Sequence, residues 1–148
     1  MRTRPGAPDQ ILEFIRRMWA VDHELQRVSK RMVDRIGLTA PQRLAVRFIG
    51  RQRGVTFGQL AELLHLHAGT VTGIVRRLEE LGFVVQTRSE EDTRRRHLAL
   101  TAKGRQIDRR RKGTVEAAVR RTASAISAKE LATTAAVMDL LARNLAAE

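Results

Sequence analysis

The sequence predicts a mainly α-helical fold carrying a small β-hairpin, and three observations lead to that prediction. A seam of apolar residues near the N-terminus repeats every three or four positions, as a long helix requires. Three Ser/Thr residues are each followed three positions later by Gln or Glu, the spacing of a capping box. The stretch from His67 to Thr101 reads as one amphipathic helix followed directly by a hairpin with a basic tip.

After a short arm containing Pro and Gly, Ile11, Phe14, Met18, Val21, Leu25, Val28 and Met32 form a period-3.5 seam suited to a second helix. Leu12, Ile15, Trp19, Val33 and Ile36 widen that surface, and Gly37 ends the helix. Thr39 with Gln42 opens a second helix from about Ala40 to Gln52, and Gly54 breaks the chain after it. Thr56 with Gln59 opens a third, Phe57 to Leu64. Only His65, Leu66 and His67 separate this from the next helix, so the two must cross at a fixed angle as a helix-turn-helix.

In that next helix Val71, Ile74, Val75, Leu78 and Leu81 share one face, leaving Thr70, Thr72, Gly73, Arg76 and Arg77 outward. Phe83, Val85 and Thr87 then alternate, as do Leu98 and Leu100. Glu90, Glu91, Asp92 and Arg94, Arg95 and Arg96 fall at the tip between them. Thr101 caps a basic helix expected to continue through Ile107, Val115, Ala118, Val119 and Thr122. Ser127 with Glu130 opens the last, Ala128 to about Ala146, with Leu131, Thr134, Met138, Leu141 and Leu145 on one stripe.

A chain of 148 residues amounts to about one domain. Twenty-eight Lys and Arg against 16 Asp and Glu give a formal charge of +12, which favours a polyanionic partner. No apolar run approaches the length of a membrane span, and the first ten residues lack a signal-peptide core, so a soluble, cytoplasmic protein is expected. Without cysteine there is no disulfide, thiolate zinc site or thiol redox sensor. One Trp and four Phe are too few for a surface that stacks unpaired bases.

The order of elements resembles the MarR family of winged helix-turn-helix transcription regulators. The resemblance rests on GLTAPQRLAV (Gly37 to Val46), LAELL (Leu60 to Leu64), TVTGIVRRLEELGFV (Thr70 to Val84), and Asp92, Arg94 and Leu100-Thr101. It implies a homodimer on a pseudo-palindromic double-stranded DNA operator, regulating transcription, chiefly by repression, with a small-molecule effector in many members. Residues 1–36 would supply an N-terminal arm and dimerisation helix, 37–101 the DNA-binding region, and 102–148 helices completing the dimerisation region. The dimer contacts are expected from Ile11, Phe14, Met18 and Leu25 and from Leu131, Met138, Leu141 and Leu145. Thr70, Thr72, Arg76 and Arg77 would meet bases or phosphates in the major groove, and Arg94 the minor groove, with Asp92 supporting the wing. Arg95 and Arg96 join the DNA-facing set; Arg88 is read first as an internal wing brace with Asp92, with a place in the DNA-facing set as the other reading.

The chain departs from the family pattern at Gly69, where serine is common, and at Gly73, where a basic residue is common. Two glycines on the exposed face suit close approach of the helix backbone to the sugar-phosphate rail, against a helix cost of about 1 kcal/mol each relative to alanine. His67 stands where Ser or Asp would cap and is assigned to a phosphate.

Other readings stay open on the sequence. A sequence-tolerant architectural DNA-binding protein suits the charge and the glycines, and a winged-helix protein-interaction module suits the fold. His65 and His67 lack the cysteine or carboxylate companions of a metal site, so no metal is expected, and no cofactor. No nucleophile motif, phosphate loop or paired carboxylates support an enzyme.

Overall fold

A computed structural model of the chain describes residues 8–92 and 94–148, so the predicted N-terminal arm lies outside the described residues. The elements run α1 (Pro8–Ile36), α2 (Ala40–Arg51), β1 (Val55–Thr56), α3 (Phe57–Leu64), α4 (Ala68–Glu80), β2 (Val84–Arg88), β3 (Arg96–Leu100), α5 (Ala102–Arg109), α6 (Val115–Ser124) and α7 (Ala128–Leu145). They form two compact units, one extending through Gly113 and the other Thr114–Glu148.

All three capping boxes form. The Thr39 hydroxyl accepts from Gln42 N–H at 3.4 Å while Thr39 N–H donates to the Gln42 side chain at 3.0 Å, and Thr56 with Gln59 repeats the exchange. At α7 the Glu130 carboxylate accepts from Ser127 N–H and Oγ–H, both at 2.8 Å. These bonds, the backbone one foremost, hold the Glu130 carboxyl below the usual carboxylate range.

In the first unit α2, α3 and α4 pack on one another, and α5 rests on α2 and β3. Leu38, Ala45, Val46, Leu60, Val71, Val75, Leu78 and Leu98 are all fully buried, with Met32 of α1 beside them in the core. Removing one such leucine from water contributes about 2–3 kcal/mol. The rest of the α1 seam stays uncovered: Ile11, Phe14, Val21 and Leu25 are exposed and Met18 and Val28 half-buried. In the second unit neither α6 nor α7 buries a residue. Leu131, Met138 and Leu145 are exposed and Leu141 is half-buried.

Three features differ from the sequence expectation. The hairpin has a third strand, since β1 pairs with β3 (Val55 opposite Leu98, Thr56 opposite His97) in a sheet of order β1-β3-β2. Within β2 the inward residue is Val84, not Val85, which is exposed; Phe83 is buried in the turn before the strand, so its parity does not carry into the ladder. The helix expected to run from Thr101 through Thr122 is broken into α5 and α6 at Arg110–Thr114. There Gly113 takes a left-handed φ of 77°, and the Thr114 hydroxyl caps the next helix by accepting from Ala117 N–H.

That break has a partner distant in sequence. The Arg43 side chain, 1% exposed, donates to the carbonyl oxygens of Ile107 (2.5 Å), Asp108 (3.1 Å) and Arg110 (2.5 Å). A helix of eight residues ends with orphan carbonyls, and a buried guanidinium receives them. Arg47 adds an ion pair to the Asp108 carboxylate at 2.7 Å.

Candidate nucleic-acid interface

The turn from α3 into α4 sets the geometry of the exposed helix. His65 closes α3 in a left-handed conformation (φ 53°, ψ 41°), and the N–H groups of His65 and Leu66 return to the carbonyls of Glu62 and Ala61. A non-glycine residue held there carries strain of order 1–3 kcal/mol, so the packing of α3 against α4 must maintain the turn. His67 then stands at the N-cap of α4 with no side-chain cap bond, leaving its imidazole exposed at a helix N-terminus, where anions are favoured.

Val71, Ile74, Val75 and Leu78 pin α4 to the core, and Gly69, Thr70, Thr72, Gly73, Arg76 and Arg77 all lie on its exposed side. The side chains are unequally available. Thr72 donates its hydroxyl hydrogen to Ala68 carbonyl oxygen at 3.0 Å, leaving the oxygen as an acceptor. Arg77 pairs with Glu80 at 3.3 Å across solvent, a contact worth little. Arg76 has no hydrogen-bond or ionic partner among the described residues. Around Gly69 and Gly73 an added Cβ would meet nothing within 4 Å. Internal packing therefore does not require glycine at either place, unlike Gly104, whose Cβ would fall 2.0 Å from the Phe83 carbonyl oxygen.

The wing is shaped by its own tip. Asp92 Oδ1 accepts from Arg94 N–H at 3.0 Å, Ser89 Oγ accepts from the N–H groups of Glu91 and Asp92, and Ser89 N–H reaches Arg95 carbonyl oxygen at 3.1 Å. Asp92 thus folds the tip, and its side-chain partner is Arg95 at 3.5 Å. The expected Arg88–Asp92 brace is not formed; Arg88 is exposed and stands opposite Arg96 in the ladder. Arg96 donates to Gln86 Oε1 at 3.1 Å, which ties it back along the sheet. Of the three tip arginines, only Arg94 has a side chain without a partner among the described residues.

Contacts that the sequence reading missed join the two arms. Gln86 Nε2 donates to Glu79 Oε1 at 2.9 Å, linking β2 to α4. Lys103 Nζ donates to Leu81 carbonyl oxygen at 2.9 Å and lies 5.1 Å from the Phe83 ring centroid, so α5 supports the C-terminal end of α4. A lysine one turn into a helix, after a Thr cap, offers the signal in retrospect. Among the described residues no cluster of three or more His, Cys, Asp or Glu could hold a metal ion. No described helix is long and apolar enough to cross a membrane.

Two crossing helices backed by a three-stranded sheet with a basic hairpin tip define a winged helix-turn-helix protein. Residues 36–95 match the MarR family profile. The chain is 32% identical over 87 residues to the organic hydroperoxide resistance transcriptional regulator of Bacillus subtilis (strain 168), covering 59% of each chain. It is 31% identical over 104 residues to the HTH-type transcriptional regulator TtmR of Methylorubrum extorquens, covering 70% of this chain and 52% of that one. The chain thus spans between half and three fifths of the length of these relatives. Among solved structures, Streptococcus pneumoniae FabT in complex with DNA matches with a TM-score of 0.68 and 27% identity, over 94% of this chain and 97% of that one. Through residues 36–95 the chain is similar to the MarR family.

Proposed function

We propose that the chain is a homodimeric, sequence-specific regulator of transcription, acting as a repressor on a pseudo-palindromic duplex operator and answering to a small molecule. The observation that supports this most is the pairing of two exposed features on one compact unit. One is a helix face of Thr70, Thr72, Arg76 and two open glycines, and the other is a wing tip whose Arg94 guanidinium is uncommitted. Arg76, Arg77, His67, Arg88, Arg95 and Arg96 would neutralise phosphates and fix register, while Arg94 would occupy an adjacent minor groove. A family of transcriptional regulators, rather than enzymes, is the setting in which those residues make sense.

The dimer reading draws on apolar surface left uncovered in both units: Ile11, Phe14, Met18 and Leu25 in the first, and Leu131, Met138, Leu141 and Leu145 in the second. Residues 1–36 and 102–148 would together form the dimerisation region. In a twofold dimer two α4 helices would meet successive major grooves, about one helical turn of DNA apart. Replacing Leu25 with Asp should yield monomers on sedimentation; a variant that remains fully dimeric would place the interface elsewhere.

Titrating labelled genomic duplexes against the protein tests the function. The regulator reading expects one fragment class bound at least about a thousandfold more tightly than bulk DNA, with affinity falling steeply as salt rises. Equal affinity for all duplexes would favour a sequence-tolerant architectural protein, which the open glycines of α4 also suit. Absence of duplex binding at low salt would favour a protein-docking module.

A further inference from the structure

Gln86 lies where the wing leaves the body of the first unit, and its amide is used at both ends. On β2 it shares a face with buried Val84 and exposed Arg88, and its cross-strand neighbour Leu98 is buried. The position is half-buried, so an amide there needs partners. Its Nε2 donates to Glu79 Oε1 of α4 at 2.9 Å, and its Oε1 accepts from Arg96 Nη1 at 3.1 Å. A neutral dipole thus bridges a carboxylate and a guanidinium. The reverse orientation would set the amide N–H groups against the guanidinium and the amide oxygen against the carboxylate, so only one sense is favourable. Neither charged end has another side-chain partner among the described residues.

Arg88 stands directly opposite Arg96 in the β2–β3 ladder, and two like charges in register repel. The bond from Gln86 draws Arg96 back toward α4 against that repulsion. We propose that Gln86 is a positioning residue for the wing: its amide carries the placement of α4 through Glu79 to Arg96, and thereby sets where Arg94, two residues nearer the tip, meets DNA. The inference rests on the DNA-binding reading and extends it. Preference for the flank beside a half-site depends on a residue that itself touches no base or phosphate. Helix and wing read as one surface rather than as two independent ones.

The full chain is measured first without DNA, by backbone amide relaxation. The amides of Arg88, Arg94 and Arg96 should have order parameters near those of α4, about 0.85, and Gln86→Met should lower them toward about 0.6. Equal order in both proteins overturns the relay. Duplexes that share their half-sites and differ only in an A/T-rich or G/C-rich flank are then compared by fluorescence anisotropy. The ratio of the two affinities should fall about threefold or more in Gln86→Met and in Glu79→Ala, with no further loss in the double variant, because either change cuts the same chain. Taking a ratio cancels the general gain in affinity from removing a negative charge. Glu79→Gln keeps an acceptor for the Gln86 amide and should hold the ratio within about twofold of wild type. A merely structural role would lower the melting temperature and leave the ratio in place. A wild type that discriminates flanks, with both single variants discriminating equally well, overturns the proposal alone. So does a Glu79→Gln ratio as low as that of Glu79→Ala. A wild type that binds all duplexes alike, or none, overturns the regulator reading and the proposal with it.

Discussion

Helix α4 and the wing tip face outward from the same unit, yet they are held by different means. Four apolar side chains of α4 are buried in the core, and its exposed face is poor in side chains, with glycine at positions 69 and 73. Among the described residues the tip between β2 and β3 buries nothing, and it owes its shape to short local bonds around Ser89 and Asp92. Its outward surface is almost all guanidinium and carboxylate. Backbone anchored in the core is presented by one arm and locally held charge by the other. A surface of the first kind reads shape at close range, and one of the second reads potential and groove width.

Substitutions can break this contrast in graded steps. The largest effect is expected from Leu78→Ala, which removes a fully buried side chain from α4 and should cost about 2–5 kcal/mol in urea unfolding. Arg94→Ala should leave stability within about 0.5 kcal/mol, because the exposed side chain has no hydrogen-bond or ionic partner among the described residues. It should nevertheless weaken operator binding about tenfold and blunt any preference for a narrow, A/T-rich flank, as read by fluorescence anisotropy on matched duplexes. Equal affinity across flanks for both proteins would remove the wing from the reading surface. Asp92→Ala is the gentler case. It deletes the bond to Arg94 N–H and the pairing with Arg95, so stability should fall by no more than about 1 kcal/mol, while DNA affinity drops a few-fold through a less ordered tip.

Local rules made much of this fold legible from the sequence, and long-range ones did not. Thr39, Thr56 and Ser127 each fix a helix start with a partner three residues away, so those boundaries could be read in a window of four. The buried face of α4 followed from spacing alone. The break after α5 depends on Arg43, 64 to 67 positions upstream in sequence from the carbonyls it receives, and no local pattern announces that. Strand β1 spans two residues, too few to show alternation, and Thr56 already had a role as a cap. The parity error at Val85 arose because Phe83 is buried by the turn, outside the pleat. At the candidate site, the exposed set on α4 could be listed from the sequence. The ranking of the arginines on α4 and the wing could not, since only the structure shows that Arg95 and Arg96 are tied back while Arg94 and Arg76 are not.

The central claim is that α4 meets DNA through its backbone at the open glycines, and Gly73→Ala tests it most directly. Nothing lies within 4 Å of the added methyl, so the change should raise stability by up to about 1 kcal/mol through helix propensity alone. If the sugar-phosphate rail comes against that backbone, operator affinity should fall several-fold in the same variant, with stability and binding moving in opposite directions. A more stable protein that binds its operator as tightly as before would contradict the account.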